Sequence, residues 1–170
     1  MKAVRAYLAA PFAFQSRMRM YAQELRALGM KVTSRWLDET VPLNTDVEEL
    51  PEDYCANTAF MDVKDIAESN VFILFTPTDE ELANPEISKK AWARGGRHFE
   101  TGLACGMRLV NALLTGMEHT YPVIMVCGPR ENIFYAQEHI VRHDNWDQTV
   151  SYLLRLAHEN CDHQDAASKN

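Results

Sequence analysis

Within Gly95-Gly96-Arg97-His98-Phe99-Glu100-Thr101-Gly102, a glycine pair, a cation and a carboxylate fall close together in the chain. Two glycines let backbone N–H groups approach a ligand, and the N-terminus of a following helix adds a field that favours negative charge. An arginine and a carboxylate then meet at one ligand site, where Arg97 and His98 could hold a hydroxyl or a phosphate. The same residues also make an ordinary glycine turn, with Glu100 as a solvated first-turn acid that stabilises the helix dipole. Spacing alone does not decide between a catalytic carboxylate and a helix start.

Such a segment works only if strands and helices present it. Ala3-Val4-Arg5-Ala6-Tyr7-Leu8-Ala9-Ala10 is a short apolar run that stops at Pro11, as a buried strand stops at a turn. Met20, Leu25 and Leu28 recur at helical spacing before Gly29, which predicts a helix over 16–28. Residues 30–36 alternate as a second strand, and 38–51 is an acidic, proline-broken loop. A helix is predicted over 53–69, followed by the uninterrupted apolar run Val71-Phe72-Ile73-Leu74-Phe75, typical of a strand covered on both faces. A long polar connection over 78–94, a helix over 99–108, a buried strand over 122–127 and an amphipathic helix over 147–158 complete the pattern. Alternating strands and helices imply an α/β fold, a doubly wound three-layer sandwich around a parallel sheet of about five strands. In such sheets ligands bind at the carboxyl edge of the strands.

A chain of 170 residues with 46% hydrophobic positions suits one domain, read as 1–160 with a polar, flexible tail over 161–170. The formal charge of −7 argues against nucleic acid as a partner, because phosphate-backbone binding needs a basic face. No uncharged apolar run approaches the roughly 20 residues of a membrane span, and the N-terminus lacks a signal-peptide core, so a cytoplasmic protein is expected. Cys55, Cys105, Cys127 and Cys161 lack C-x-x-C spacing and read as reduced, mostly buried thiols. The six histidines are scattered, and His139 and His143 lack an identifiable third ligand, so no metal or other cofactor is expected.

Five separated segments together resemble the nucleoside 2-deoxyribosyltransferase family, in its short bacterial and phage-type members. They are Tyr7-Leu8-Ala9-Ala10-Pro11-Phe12, Thr33-Ser34-Arg35-Trp36-Leu37, residues 62–70, residues 95–102, and Gly128-Pro129-Arg130-Glu131-Asn132-Ile133-Phe134, in the family's order. The resemblance implies a flavodoxin-like sheet and Glu100 as a nucleophile that forms a covalent deoxyribosyl intermediate. Chemically, a carboxylate facing C1′ can capture an oxocarbenium-like centre and hold it until an acceptor arrives. The resemblance further assigns Asp65 to proton donation toward the leaving base and Tyr7 to orienting the nucleophile; without it they read as an exposed helix acid and a buried strand tyrosine. Gly95, Gly96, Arg97, His98, Pro11 and Phe12 fall in the matching segments as substrate-binding candidates. Trp36 could stack on a base or belong to the core, and Asn132 could serve a neighbouring subunit's pocket or cap a turn. A homo-oligomer is implied by the resemblance alone.

Arg94, a further substrate-binding candidate, stands where short relatives usually carry a small hydroxyl residue; it could strengthen binding of a 5′-phosphate or block it, which leaves the sugar's 5′ substituent open. The connection over 78–93, which contains Trp92, and the stretch over 111–121 are longer than expected. Three functions follow: transfer of a deoxyribosyl group between a nucleoside or nucleotide and a free base, hydrolysis of a deoxynucleoside 5′-monophosphate, or nucleotide binding without turnover.

Overall fold

The computed structural model describes residues 3–43, 45–87, 96–115 and 121–167, with side chains to residue 158. Five parallel strands are ordered β2-β1-β3-β4-β5: β1 (Arg5–Ala9), β2 (Lys31–Val32), β3 (Val71–Phe75), β4 (Val123–Cys127) and β5 (Ile140–His143). This is the flavodoxin-like order, with its switch point between β1 and β3, and it bears out the α/β expectation. The α-helices among the described residues are α1 (Gln15–Ala27), α2 (Glu52–Glu68), α3 (Asp79–Leu82), α4 (Arg97–Thr115) and α5 (Trp146–Ala167). The backbone of α5 thus continues into the stretch read from sequence as a tail.

The central strands are buried on both faces, as their unbroken apolar runs require. Helices α2 and α4 pack together on one face. On the other, Tyr21 of α1 stacks on Trp146 of α5 at 4.2 Å between centroids, and both lie against Phe75 of β3. Met18 and Leu25 of α1 and Leu153 of α5 are fully buried in the same layer. Truncating any one of them to alanine would cost roughly 2–5 kcal/mol.

Two strands depart from the sequence expectation. β2 ends after two residues because side chains take over its ladder: the Leu8 N–H donates to Ser34 Oγ at 2.6 Å, and the Leu8 carbonyl accepts from Trp36 Nε1 at 2.7 Å. The chain then turns into a 3-10 helix over Arg35–Asp38 rather than continuing as a strand. β5 escapes the apolar-run criterion because Ile140-Val141-Arg142-His143 is an edge strand with half its residues polar. Of the cysteines with described side chains, Cys127 is buried while Cys55 and Cys105 are only partly so, and all three are free thiols.

Asn70, between α2 and β3, fixes where β1 begins. Its Oδ1 accepts from the Arg5 N–H at 2.8 Å, and its amide donates to the Ala3 carbonyl at 3.1 Å. The register Tyr7↔Phe72 follows, and the two rings stack 5.7 Å apart. Beyond β4, Gly128 adopts φ +117°, and a Cβ there would stand 2.6 Å from both the carbonyl oxygen and the hydroxyl of Thr76. A Gly128→Ala variant is expected to lose at least about 2 kcal/mol in urea unfolding, from the positive φ and the overlap together.

Candidate active site

The site lies at the carboxyl end of β1, against the N-terminus of α4. The helix opens with the Glu100 N–H donating to the Gly96 carbonyl at 2.8 Å, so Glu100 sits in the first turn. Side chains on a helix lean toward its N-terminus, which carries this carboxylate back over the end of the sheet. There the fully buried Tyr7 donates its hydroxyl to Glu100 Oε1 at 2.8 Å.

A cleft opens in front of this pair. A 130 Å³ cavity lined by Phe12, Trp36, Glu39, Asp62, Gly96 and Glu100 adjoins one of 290 Å³, with Phe12, Glu39, Thr58, Asp62 and Gly96 common to both. A third hollow of 310 Å³ runs between α2 and α4 and shares Asp62, Gly96 and Glu100. These sizes suit a small organic ligand. Phe12 tilts over Trp36 at 6.3 Å, so the aromatic wall is anchored through the Trp36–Leu8 hydrogen bond.

Two carboxyls face one another in this cleft. Burial pushes Glu100 up to about 7, opposed by the Tyr7 hydrogen bond and the positive charge of Arg97. Burial likewise pushes Asp62 up to about 7, reinforced by the carboxylates of Glu100, Glu39 and Asp65 and opposed by the Tyr7 hydroxyl. The two groups ionise one at a time, because the first charge opposes the second. Glu100, beside a donor and a cation, is the better anion; Asp62, ringed by carboxylates, is the better acid.

Asp65, expected from the sequence as the proton donor, is placed elsewhere. It is buried and receives the Arg35 backbone N–H at 2.9 Å and Arg35 Nε at 2.8 Å, with Nη2 also 2.6 Å away. It lines none of the three cavities. Its work here is to clamp the 3-10 helix that carries Trp36 onto α2. Asp62, one turn earlier on the same helical face, is the residue the sequence reading missed.

Of the other candidates, Gly96, Phe12 and Trp36 line the cleft. Arg97 is buried and donates Nη2 to Glu131 Oε1 at 2.6 Å, outside the three cavity walls. His98 lies 3.2 Å from the Tyr135 hydroxyl, and Asn132 accepts the Phe134 N–H at 3.0 Å as a cap of its own turn. Neither lines the cleft. Pro11 is buried beneath it and accepts the Phe14 N–H at 2.8 Å. Arg94, Gly95 and Trp92 lie outside the described residues. Among the described residues, no three His, Cys, Asp or Glu side chains are grouped to hold a metal ion, and no helix is long and apolar enough to cross a membrane.

No protein-family model matches the chain, and no curated protein matches it. Among solved structures it is similar to the Clostridium botulinum CMP N-glycosidase BcmB, with a TM-score of 0.42 and 17% sequence identity over 89% of this chain and 97% of that one.

The raised carboxyls have a consequence for stability. Their ordinary values are 3.8 for Asp62 and 4.5 for Glu100, so the native state holds these protons more tightly than the unfolded chain. Their cost to stability is absent below about pH 4 and grows as pH rises through about 7. Glu100→Gln is therefore expected to raise the melting temperature at pH 8 by roughly 5 °C, corresponding to about 2 kcal/mol, and to change it little at pH 4. Equal shifts at both pH values would contradict this.

Proposed function

We propose that the chain cleaves the N-glycosidic bond of a 2′-deoxynucleoside through a covalent sugar–Glu100 ester and passes the sugar to a second base. The observation that carries this reading is the Tyr7–Glu100 hydrogen bond beside a cleft that Glu100 and Asp62 both line. Tyr7 engages Oε1, which leaves the other carboxylate oxygen to bond to C1′ as the C1′–N bond breaks. Asp62 delivers its proton to the departing base nitrogen. In the second step the acceptor base attacks C1′, Asp62 takes up the acceptor's N–H proton, and Glu100 leaves as carboxylate. Two displacements give net retention at C1′.

Transfer is favoured over hydrolysis because the 290 Å³ cavity has an apolar wall, formed by Phe12, Val41, Val47 and Leu50, able to hold a flat acceptor base. A nucleoside is favoured over its 5′-monophosphate because Arg97 is already engaged by Glu131.

A second copy of the chain completes the picture. Phe60 of α2 and Phe99 of α4, 65% and 69% exposed, line the 310 Å³ hollow beside Glu100, and Val110, Leu113 and Leu114 extend this apolar face along α4. A homo-oligomer joined here would cover the hollow and shut the cleft on that side. Leu113→Glu is expected to yield monomers in sedimentation velocity; an unchanged sedimentation coefficient would count against this surface.

The reaction is tested by chromatography of each 2′-deoxynucleoside and its 5′-monophosphate, with and without a second base. A new nucleoside is expected only when the acceptor is present. Free base from a monophosphate without acceptor would reassign the chain as a hydrolase, and a Glu100→Ala variant with full activity would sink both. Asp62→Asn is expected to lower kcat by about 100-fold or more. Asp65→Asn should instead cost about 2 kcal/mol of stability and leave kcat within a fewfold. The rate profile in kcat/KM should be bell-shaped and centred near pH 7, its acid limb moving upward in Tyr7→Phe as Glu100 loses the donor that lowers it.

A further inference from the structure

The 290 Å³ cavity is apolar along much of its wall, so the polar side chains within it decide which base edge it accepts. Glu39 is one of them and lines both adjoining cavities. Its backbone is pinned on three sides: its N–H donates to the Trp36 carbonyl at 3.2 Å, and its carbonyl accepts from Gln15 Nε2 at 3.1 Å and Arg19 Nη2 at 2.8 Å. Backbone held this firmly, at the end of the 3-10 helix that also carries Trp36, fixes where the Glu39 side chain enters the cleft. Burial and the neighbouring Glu39 carboxylate raise the pKa of the Tyr54 hydroxyl of α2.

We infer that Glu39 reads the base and selects those carrying an exocyclic amino group over those carrying a carbonyl at the same edge. This rests on the reaction proposed above, which commits Glu100 to C1′ and Asp62 to the glycosidic nitrogen. The part of the base farther from the sugar then lies toward the 290 Å³ cavity, where Glu39 stands. An ionised carboxylate only accepts hydrogen bonds, so it pairs with an amino group. Against a carbonyl it meets a second acceptor, and the only donor left on that edge is the neighbouring ring N–H, displaced from the exocyclic position. A site built to pair with a donor discriminates strongly against an analogue lacking it.

The test uses substrate pairs that differ at this one edge: 2′-deoxycytidine with 2′-deoxyuridine, and 2′-deoxyadenosine with 2′-deoxyinosine, each with one common acceptor base. The wild-type protein is expected to favour the amino member by about 100-fold in kcat/KM. Glu39→Gln, whose amide can donate or accept, should bring the ratio within about tenfold, mainly by raising turnover of the carbonyl member. Equal turnover of both members by the wild type would overturn the inference. So would a Glu39→Gln variant slowed equally on both members, since a purely structural role leaves the ratio unchanged. If no substrate reacts, the proposed reaction fails, and calorimetric binding of cytosine against uracil and adenine against hypoxanthine decides the role of Glu39. Tighter binding of the amino base, abolished in Glu39→Gln, supports it; equal binding overturns it.

Discussion

The hydrogen bond from Tyr7 to Glu100 joins the first strand to a helix 93 residues later, and the site can exist only if both ends of that bond are held still. One end is fixed by strand register, through the Asn70 side chain that starts β1 and the Phe72 ring beneath Tyr7. The other end is fixed by the turn at Gly96, whose carbonyl begins α4. A tyrosine buried in a sheet normally needs a partner for its hydroxyl, and here the partner is the carboxylate with the strongest claim to chemistry. The bond that satisfies the buried hydroxyl is therefore also the one that orients the Glu100 carboxylate.

Around it the protein separates charges by role. Asp65 and Arg35 neutralise each other, as do Arg97 and Glu131, and these pairs fasten the 3-10 helix and the loop after β4 to the scaffold. Asp62 and Glu100 are left facing each other across the cleft, and their carboxyls are displaced far from ordinary values. Perturbed groups of this kind cluster where function demands them, at the expense of stability.

The fold was largely legible because its central strands are unbroken apolar runs; the helices lie where apolar spacing put them, although Met20, Leu28 and Phe60, part of that spacing, are exposed and α1 buries Met18, Ala22 and Leu25 instead. What failed had local causes. β2 is short because Ser34 and Trp36 spend their side chains on the backbone of Leu8, a tertiary event with no periodic trace. Glu100, Tyr7, Gly96, Phe12 and Trp36 converge as the motifs suggested. Asp62 and Asp65 are not distinguishable in the sequence, because both occupy one face of α2 within a single turn. Only the position of Arg35, set by the 3-10 helix, shows which is neutralised and which faces the cleft. Arg97 looked available because its partner, Glu131, comes from a loop far along the chain.

The two-residue β2 has an effect beyond the site. A sheet edge is a template on which another chain can add a strand, and its danger grows with the length of unpaired backbone it offers. Here the outer strand is too short for such an addition to gain more than a hydrogen bond or two, and the chain bends away at once into a 3-10 helix. On this side the sheet is protected from runaway polymerisation.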